Sequence, residues 1–267
     1  MSSDAELPNA VALNSTLATV NRTLGPALAG VLIASVGMVW CFVINTVSYA
    51  ALLIALSAID RSTLRPPQFA PAGRGQVRAA LSYARRDDQI WRTLGVAAAV
   101  GTFAWNYGIL IPVYATVTMS GDASLYGLML STVGAGSFFG ALIMARVSGA
   151  QDSRMYAALA AIVASMTLAA VAPGVAPACL ALFVLGGAGT AVLISSQTHL
   201  QLRVSDQMSG RIMALFSVAF LGSKPLGGAL GGWMIDISGP RLGFAAGALI
   251  IAAVGSWASI HRHLSNR

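Results

Sequence analysis

The sequence predicts an all-α membrane protein with eight transmembrane helices. Three observations carry that expectation. Hydrophobic residues make up 56% of the 267 residues and charged residues only 9%, against about 25% charged in soluble domains. Mean hydropathy is +0.73, too apolar for a chain that covers itself in water or stays disordered. The apolar residues fall in continuous runs near the roughly 20 residues that cross a 30 Å hydrocarbon core, without the period-two alternation of a membrane barrel.

Eight runs read as spans, near Val11–Ser35, Trp40–Ala58, Leu94–Val117, Tyr126–Val147, Met155–Val171, Ala178–Leu200, Ile212–Ile235 and Leu242–Ile260. The first is the most polar, carrying Asn14, Asn21 and Arg22. Turn-forming residues separate the spans at Gly37, Ser120-Gly121-Asp122, Ser148 to Asp152, Pro173-Gly174, Ser205-Asp206 and Ser238-Gly239-Pro240. Met1 to Glu6 are polar and acidic, unlike the basic start of a signal peptide.

Basic residues set the orientation. With Met1 inside, the cytoplasmic segments hold the seven arginines from Arg61 to Arg92 together with Arg146, Arg154, Arg203, Arg211, Arg262 and Arg267. The outside holds Arg241 alone, a strong positive-inside bias. Both termini are therefore expected in the cytoplasm and the chain in the plasma (inner) membrane. The net charge of +7 follows from topology and needs no nucleic-acid partner. Within the polar segment from Asp60 to Arg92, the prolines and glycines from Pro66 to Gly75 read as linker. Val77 to Arg86 reads as a short amphipathic helix, either on the anionic inner leaflet or as a solvated connector.

The chain also repeats. A shift of 202 places Asn9–Gly37 on Arg211–Gly239 with nine of 29 positions identical, including Gly25/Gly227, Gly30/Gly232 and Gly37/Gly239. It also pairs the two cations that fall inside spans, Arg22 and Lys224. Parallel repeats of this kind are a transporter plan. Spans one and two match spans seven and eight, and spans three to six have no upstream counterpart. With six helices per repeat, the chain reads as helices five to twelve of twelve. Residues 1–59 would then be a remnant of the N-terminal half, 60–93 a central cytoplasmic loop, and 94–267 a complete six-helix C-terminal half.

Several residues invite a functional reading. Arg22 costs roughly 2.5–3.5 kcal/mol at a helix centre even on the lenient insertion scale. Arg22 and Lys224 therefore either face a central cavity, where they meet an anionic group, or snorkel to the interface. Trp105, Asn106 and Tyr107 lie near mid-depth in the third span, too deep for an aromatic belt, and are candidate cavity-lining residues. Gly25, Pro26 and Gly30 in the first span, and Gly227, Gly228, Gly231 and Gly232 in the seventh, allow close helix packing or sliding. Ser195 to His199 reads as a polar helix end at the interface, and His261 and His263 as part of a basic anchor.

The sequence has no phosphate-binding GxxxxGK[ST] loop, no HExxH and no Ser/His/Asp grouping, which argues against an ATPase and an enzyme. Cys41 and Cys179 lie inside apolar runs and supply neither a disulfide framework nor a metal site. No cofactor is expected. None of the nine acids lies deep in a span.

Leu7 to Ser15 followed by Arg22 to Gly30 resembles the fifth helix of the major facilitator superfamily. Ser209 to Leu215 resembles the entry into helix eleven of the same branch, the bacterial exporters and transmembrane secretion effectors that include the enterobactin exporter. The resemblance implies a partial major facilitator fold. It also implies export of a small amphipathic molecule, drug-like or siderophore-like, by alternating access between two halves, commonly driven by protons. A truncated, non-transporting membrane remnant or interaction partner is the competing expectation.

Overall fold

The computed structural model describes residues 40, 42–58, 75–146 and 151–265. The chain divides into two units, Met1–Gly73 and Arg74–Arg267. In the first unit, the described part of helix α1 (Phe42–Ser57) is apolar. It hides its polar side chains by back-bonding. The hydroxyls of Thr46, Ser48 and Ser57 donate to the carbonyls of Phe42, Ile44 and Ile54 at 2.7–2.8 Å. The first predicted span, with Arg22, Gly25, Pro26 and Gly30, lies outside the described residues.

The second unit is helical wherever regular structure is described. Its elements are α2 (Gln76–Arg86), α3 (Asp88–Ala99), a π-helical segment (Val100–Ala104), α4 (Tyr107–Val113), a second π-helical segment (Tyr114–Thr118), α5 (Ala123–Arg146), α6 (Gln151–Val171), α7 (Val175–Arg203), α8 (Asp206–Phe220) and α9 (Lys224–Ser265). Among the described residues, five stretches are long and apolar enough to cross a membrane: Asp88–Thr118, Ala123–Arg146, Ser153–Val171, Val175–Arg203 and Gln207–His261.

The last stretch, 55 residues long, spans two predicted crossings, and it is kinked where the Ser238-Gly239-Pro240 signal falls. Gly239 has φ 78° and ψ 166° inside α9. A Cβ is strained at that φ, so glycine is required there. Pro240 then starts the following segment, where its fixed φ suits a first helical turn.

The third span starts earlier than its apolar run because Asp87 caps it. The Asp87 carboxylate accepts from the backbone N–H groups of Gln89 and Ile90 at 3.0 and 3.3 Å. Its other oxygen takes the Arg203 Nε–H at 2.7 Å, tying the start of α3 to the end of α7. This early start carries Arg92 into the packed region, a residue the sequence reading leaves in the cytoplasmic loop. Arg92 is buried, and its guanidinium donates to the carbonyls of Asp88 and Ala258 at 3.0 and 3.3 Å. Tyr156 donates to the same Ala258 carbonyl at 3.0 Å, so α3, α6 and α9 meet there.

The helix expected near Val77 to Arg86 is present as α2. Its small apolar face, Ala80 and Ala84, is buried and α2 packs on α3 and α8. Protein therefore covers the face that the sequence reading offers to lipid or solvent. Arg78 and Arg86 are exposed, and the Arg85 guanidinium stands 5.2 Å from the Trp91 ring centroid. At the opposite membrane face, Asp122 caps α5 through the N–H groups of Ser124 and Leu125 at 3.0 and 3.1 Å. Arg241, the lone basic residue expected outside, donates to the Ala172 carbonyl just beyond α6 at 2.8 Å and satisfies a helix C-terminus.

Helix α7 is the centre of the unit and packs on both α5 and α6. Lipid tails are as apolar as leucine, so helices associate in hydrocarbon through close backbone approach rather than hydrophobic burial. The crossing of α5 with α7 shows this directly. A Cβ on Gly136 would strike the Phe183 carbonyl, one on Gly140 the Gly187 backbone, and one on Gly186 the Val133 carbonyl. The Ser137 hydroxyl bridges the crossing by donating to the Gly186 carbonyl at 3.2 Å.

Two predictions follow from these contacts. Gly136→Ala should destabilise the protein by about 1–3 kcal/mol because the helices must separate. Gly134→Ala, where a Cβ meets nothing within 4 Å, should be neutral or stabilising by up to about 1 kcal/mol. Thermal unfolding of both variants in detergent checks the contrast, and equal melting temperatures would refute the crossing as a packing constraint. The second prediction concerns Asp87. Burial pushes its carboxyl up, but the hydrogen bonds from Arg203, Ile90 and Gln89 and the Arg203 charge outweigh that, and its pKa lies below the ordinary 3.8. A lowered carboxylate pKa gives stabilisation that is complete above the ordinary value and lost as pH falls through the lowered one. Arg203 is 42% exposed, so the ion pair itself contributes at most about 1 kcal/mol. Asp87→Ala, which also removes the cap, should cost about 0.5–2 kcal/mol at neutral pH. The difference from wild type should narrow below pH 3.8, as read from melting curves across pH.

Candidate functional site

The predicted third span is interrupted near its middle. The helix widens from α3 into the π-helical segment Val100–Ala104, breaks at Trp105 and Asn106, and resumes as α4. Pro112 lies inside α4, and a second π-helical segment follows. Such interruptions free backbone groups that hydrocarbon cannot satisfy, so a neighbour must supply partners. The predicted seventh span is also interrupted near its middle, at the turn of residues 221–223 between α8 and α9. The sequence reading expects one continuous helix over Ile212–Ile235, and the structure corrects this. Pro225 has no N–H to continue the helical bonding at its position, and Gly222 weakens the helix three residues before it.

The two interruptions lie side by side and satisfy each other. Asn106 Nδ2 donates to the Lys224 carbonyl at 3.1 Å and to the Thr102 carbonyl at 3.4 Å. The Ser223 hydroxyl is placed to donate to the Ala98 carbonyl at 3.4 Å and to the Phe220 carbonyl at 3.2 Å. Glycines permit the approach from both sides. A Cβ on Gly101 would meet the Phe220 carbonyl, and one on Gly227 the Thr102 carbonyl and the Asn106 amide. Trp105 packs edge-on against Phe220, centroids 5.3 Å apart.

The structure thus brings together Asn106, the Lys224 backbone, Gly227 and Gly228, whose Cβ would touch Ile109. Gly231 lines the same cleft, whereas at Gly232 a Cβ meets nothing within 4 Å. Tyr107 opens α4, and its side chain is outside the described ones. Arg22, Gly25, Pro26 and Gly30 are outside the described residues altogether. Gly101, Thr102 and Ser223 are constituents the sequence reading misses. Tyr114, which the sequence groups with Trp105, Asn106 and Tyr107 in the third span, is buried with its hydroxyl on the Ala169 carbonyl at 2.6 Å and its ring edge-on to Phe244. Pro225, three residues after Gly222, is the signal that could have revealed the second break, since proline interrupts helical hydrogen bonding.

The cleft bounded by Thr102, Asn106, Ile109, Gly227, Gly231 and Gly243 has an open volume of about 20 Å3. That is room for about one water, far below the roughly 300–1,000 Å3 of small-molecule sites. The interruptions are closed on each other in this conformation. Ser195 and Ser196, expected at an interfacial helix end, are instead buried inside α7, which runs on for two more turns to Arg203. Ser196 sits 3.7 Å from the Met155 sulfur. Among the described residues, no group of three His, Cys, Asp or Glu side chains is placed to hold a metal.

No curated protein and no solved structure matches the chain. The model of the transmembrane secretion effector family covers residues 1–265. With its apolar helices and nearly the whole chain matched, the protein belongs to the transmembrane secretion effector family, within the major facilitator superfamily of multi-pass membrane transporters.

Proposed function

We propose that the protein is a secondary transporter that exports a small amphipathic molecule by alternating access, and that the paired interruptions at Trp105–Asn106 and residues 221–223 are where its helices bend or part. The single observation that carries this reading is the reciprocal bonding of two mid-span breaks around a cleft of one-water size. Packed cores have discrete arrangements rather than continuous compliance. Two adjacent breaks with few bonds between them offer a low-cost place for a second arrangement. Opening the cleft exposes the Asn106 amide and the Lys224 and Thr102 carbonyls, the polar groups a substrate in a dry site would use.

On this reading the chain has eight spans, with both termini in the cytoplasm of the plasma (inner) membrane. The repeat relates Arg22 and Lys224 as a cationic pair facing the cavity, where an anionic group of the substrate or a carboxylate partner meets them. Trp105 and Tyr107 are the further cavity-lining candidates on this reading. Protons are the candidate coupling ion, as the family resemblance implies.

Asn106→Ala removes the donor to the Lys224 carbonyl and should shift the balance between arrangements by about 1–3 kcal/mol, or roughly 5- to 150-fold. Export of a fluorescent amphipathic dye from everted vesicles should fall while membrane insertion is retained. Arg22→Ala should lower export more than insertion, since removing the cation eases entry into lipid. Unchanged export of every amphipathic dye tested in the Arg22→Ala/Lys224→Ala protein would remove both cations from the site. Topology is checked separately. Single cysteines within 60–92 should react with an impermeant maleimide only after the cells are opened, and labelling in intact cells would reverse the orientation.

A further inference from the structure

The larger cavity of the described structure lies away from the paired breaks. Helices α5 and α6 both pack on α7 but scarcely on each other. The gap between them is a trough of about 370 Å3 with α7 as its floor. The α7 floor is small at Gly187, Ala188 and Ala191, and the α5 wall carries Phe139, Gly140 and Ile143. Phe139 is 50% and Ile143 59% exposed. At one end the lining changes character, because Arg154 of α6 enters it.

We infer that this trough binds one anionic glycerophospholipid of the cytoplasmic leaflet, its phosphate on Arg154 and one acyl chain along the floor of α7. Charge and length select that occupant. The trough follows α5 from Met144 back to Gly136 and α6 from Arg154 to Ala161, about 10–12 Å at 1.5 Å per residue. Half of a 30 Å hydrocarbon core is about 15 Å, so the trough serves one leaflet and stops near the midplane. A partner transmembrane helix would need a groove running the full thickness. Within this length the lining is apolar except for the guanidinium at the end, the pattern of an acyl chain with a phosphate at its head. An arginine offers a phosphate a planar, bidentate set of donors. Arg146, exposed at the end of α5, is at the same membrane face but does not line the trough.

That the lipid comes from the cytoplasmic leaflet rests on the orientation proposed above. The binding itself does not, and the test reads binding alone. The full chain, purified in detergent, is titrated with phosphatidylglycerol and with phosphatidylcholine of identical acyl chains, and adducts are counted by native mass spectrometry. Phosphatidylglycerol should be retained about tenfold more strongly, the effect of a charge-assisted hydrogen bond. Arg154→Gln should bring it down to the phosphatidylcholine level, and Arg146→Gln should leave it unchanged. Ala161→Phe, which fills the trough, should reduce retention of both lipids. If that variant does not fold, Arg154→Gln against Arg146→Gln decides. Equal retention of the two lipids by the wild type, equal losses in the two arginine variants, or a folded Ala161→Phe protein that keeps its lipid would each overturn the inference. So would a dimer that carries no lipid. Orientation fails separately, in the cysteine labelling.

Discussion

In hydrocarbon every backbone N–H and C=O must find its partner inside the protein, and the arrangement of this unit follows from where its helices stop meeting that demand by themselves. They stop at Trp105–Asn106 and at residues 221–223. Neither interruption is affordable alone at mid-depth. Placed together, they are joined by side-chain donors, Asn106 on the Lys224 carbonyl and Ser223 on the Ala98 carbonyl. That mutual requirement fixes α3 and α4 against α8 and α9, and it explains why the contact is lined by Gly101 and Gly227, where a side chain would hold the two backbones apart.

The same rule governs the periphery with different residues. Toward the ends of the helices, longer side chains reach across to backbone groups of their neighbours. Arg241 takes the Ala172 carbonyl, Arg92 and Tyr156 share the Ala258 carbonyl, and Asp87 serves the first turn of α3 while holding Arg203. Arginines that appear in the sequence only as topology markers are thus also caps and cross-braces. At the α5–α7 crossing the helices are uninterrupted, and small size at Gly136, Gly140 and Gly186 lets them approach, with Ser137 donating to the Gly186 carbonyl. Both α5 and α6 pack on α7 but scarcely on each other, which leaves the trough between them.

Long apolar runs and their bounding turn residues made the helical class legible, and Ser238-Gly239-Pro240 marked a kink that the backbone shows at Gly239. Asn106 stood out because a lone amide in lipid is costly, and its bond to the Lys224 carbonyl is the compensation. The break at residues 221–223 was illegible because hydropathy does not change across it: Leu221 continues the apolar run and only Gly222 with Pro225 hints at weakness. The burial of Arg92 was hidden for the opposite reason. A charge next to a polar loop reads as loop, and only the tertiary position of the Ala258 carbonyl turns it inward. The trough could not be read at all, since Gly136, Gly140 and the alanines of α6 look like ordinary membrane-helix packing until three helices are set in place.

Lys224 acquires a double role from this geometry. Its carbonyl, rather than its ammonium, is what Asn106 engages, so alanine at Lys224 keeps the bond that joins the two breaks and removes only the charge. The repeat extends the point. Arg22 occupies the position equivalent to Lys224, so the repeat pairs two cations. A substrate or partner that neutralised the Lys224 ammonium would meet beside it a carbonyl that Asn106 already holds, so an anionic group is enough to satisfy the cation while the joint between the two breaks stays bonded.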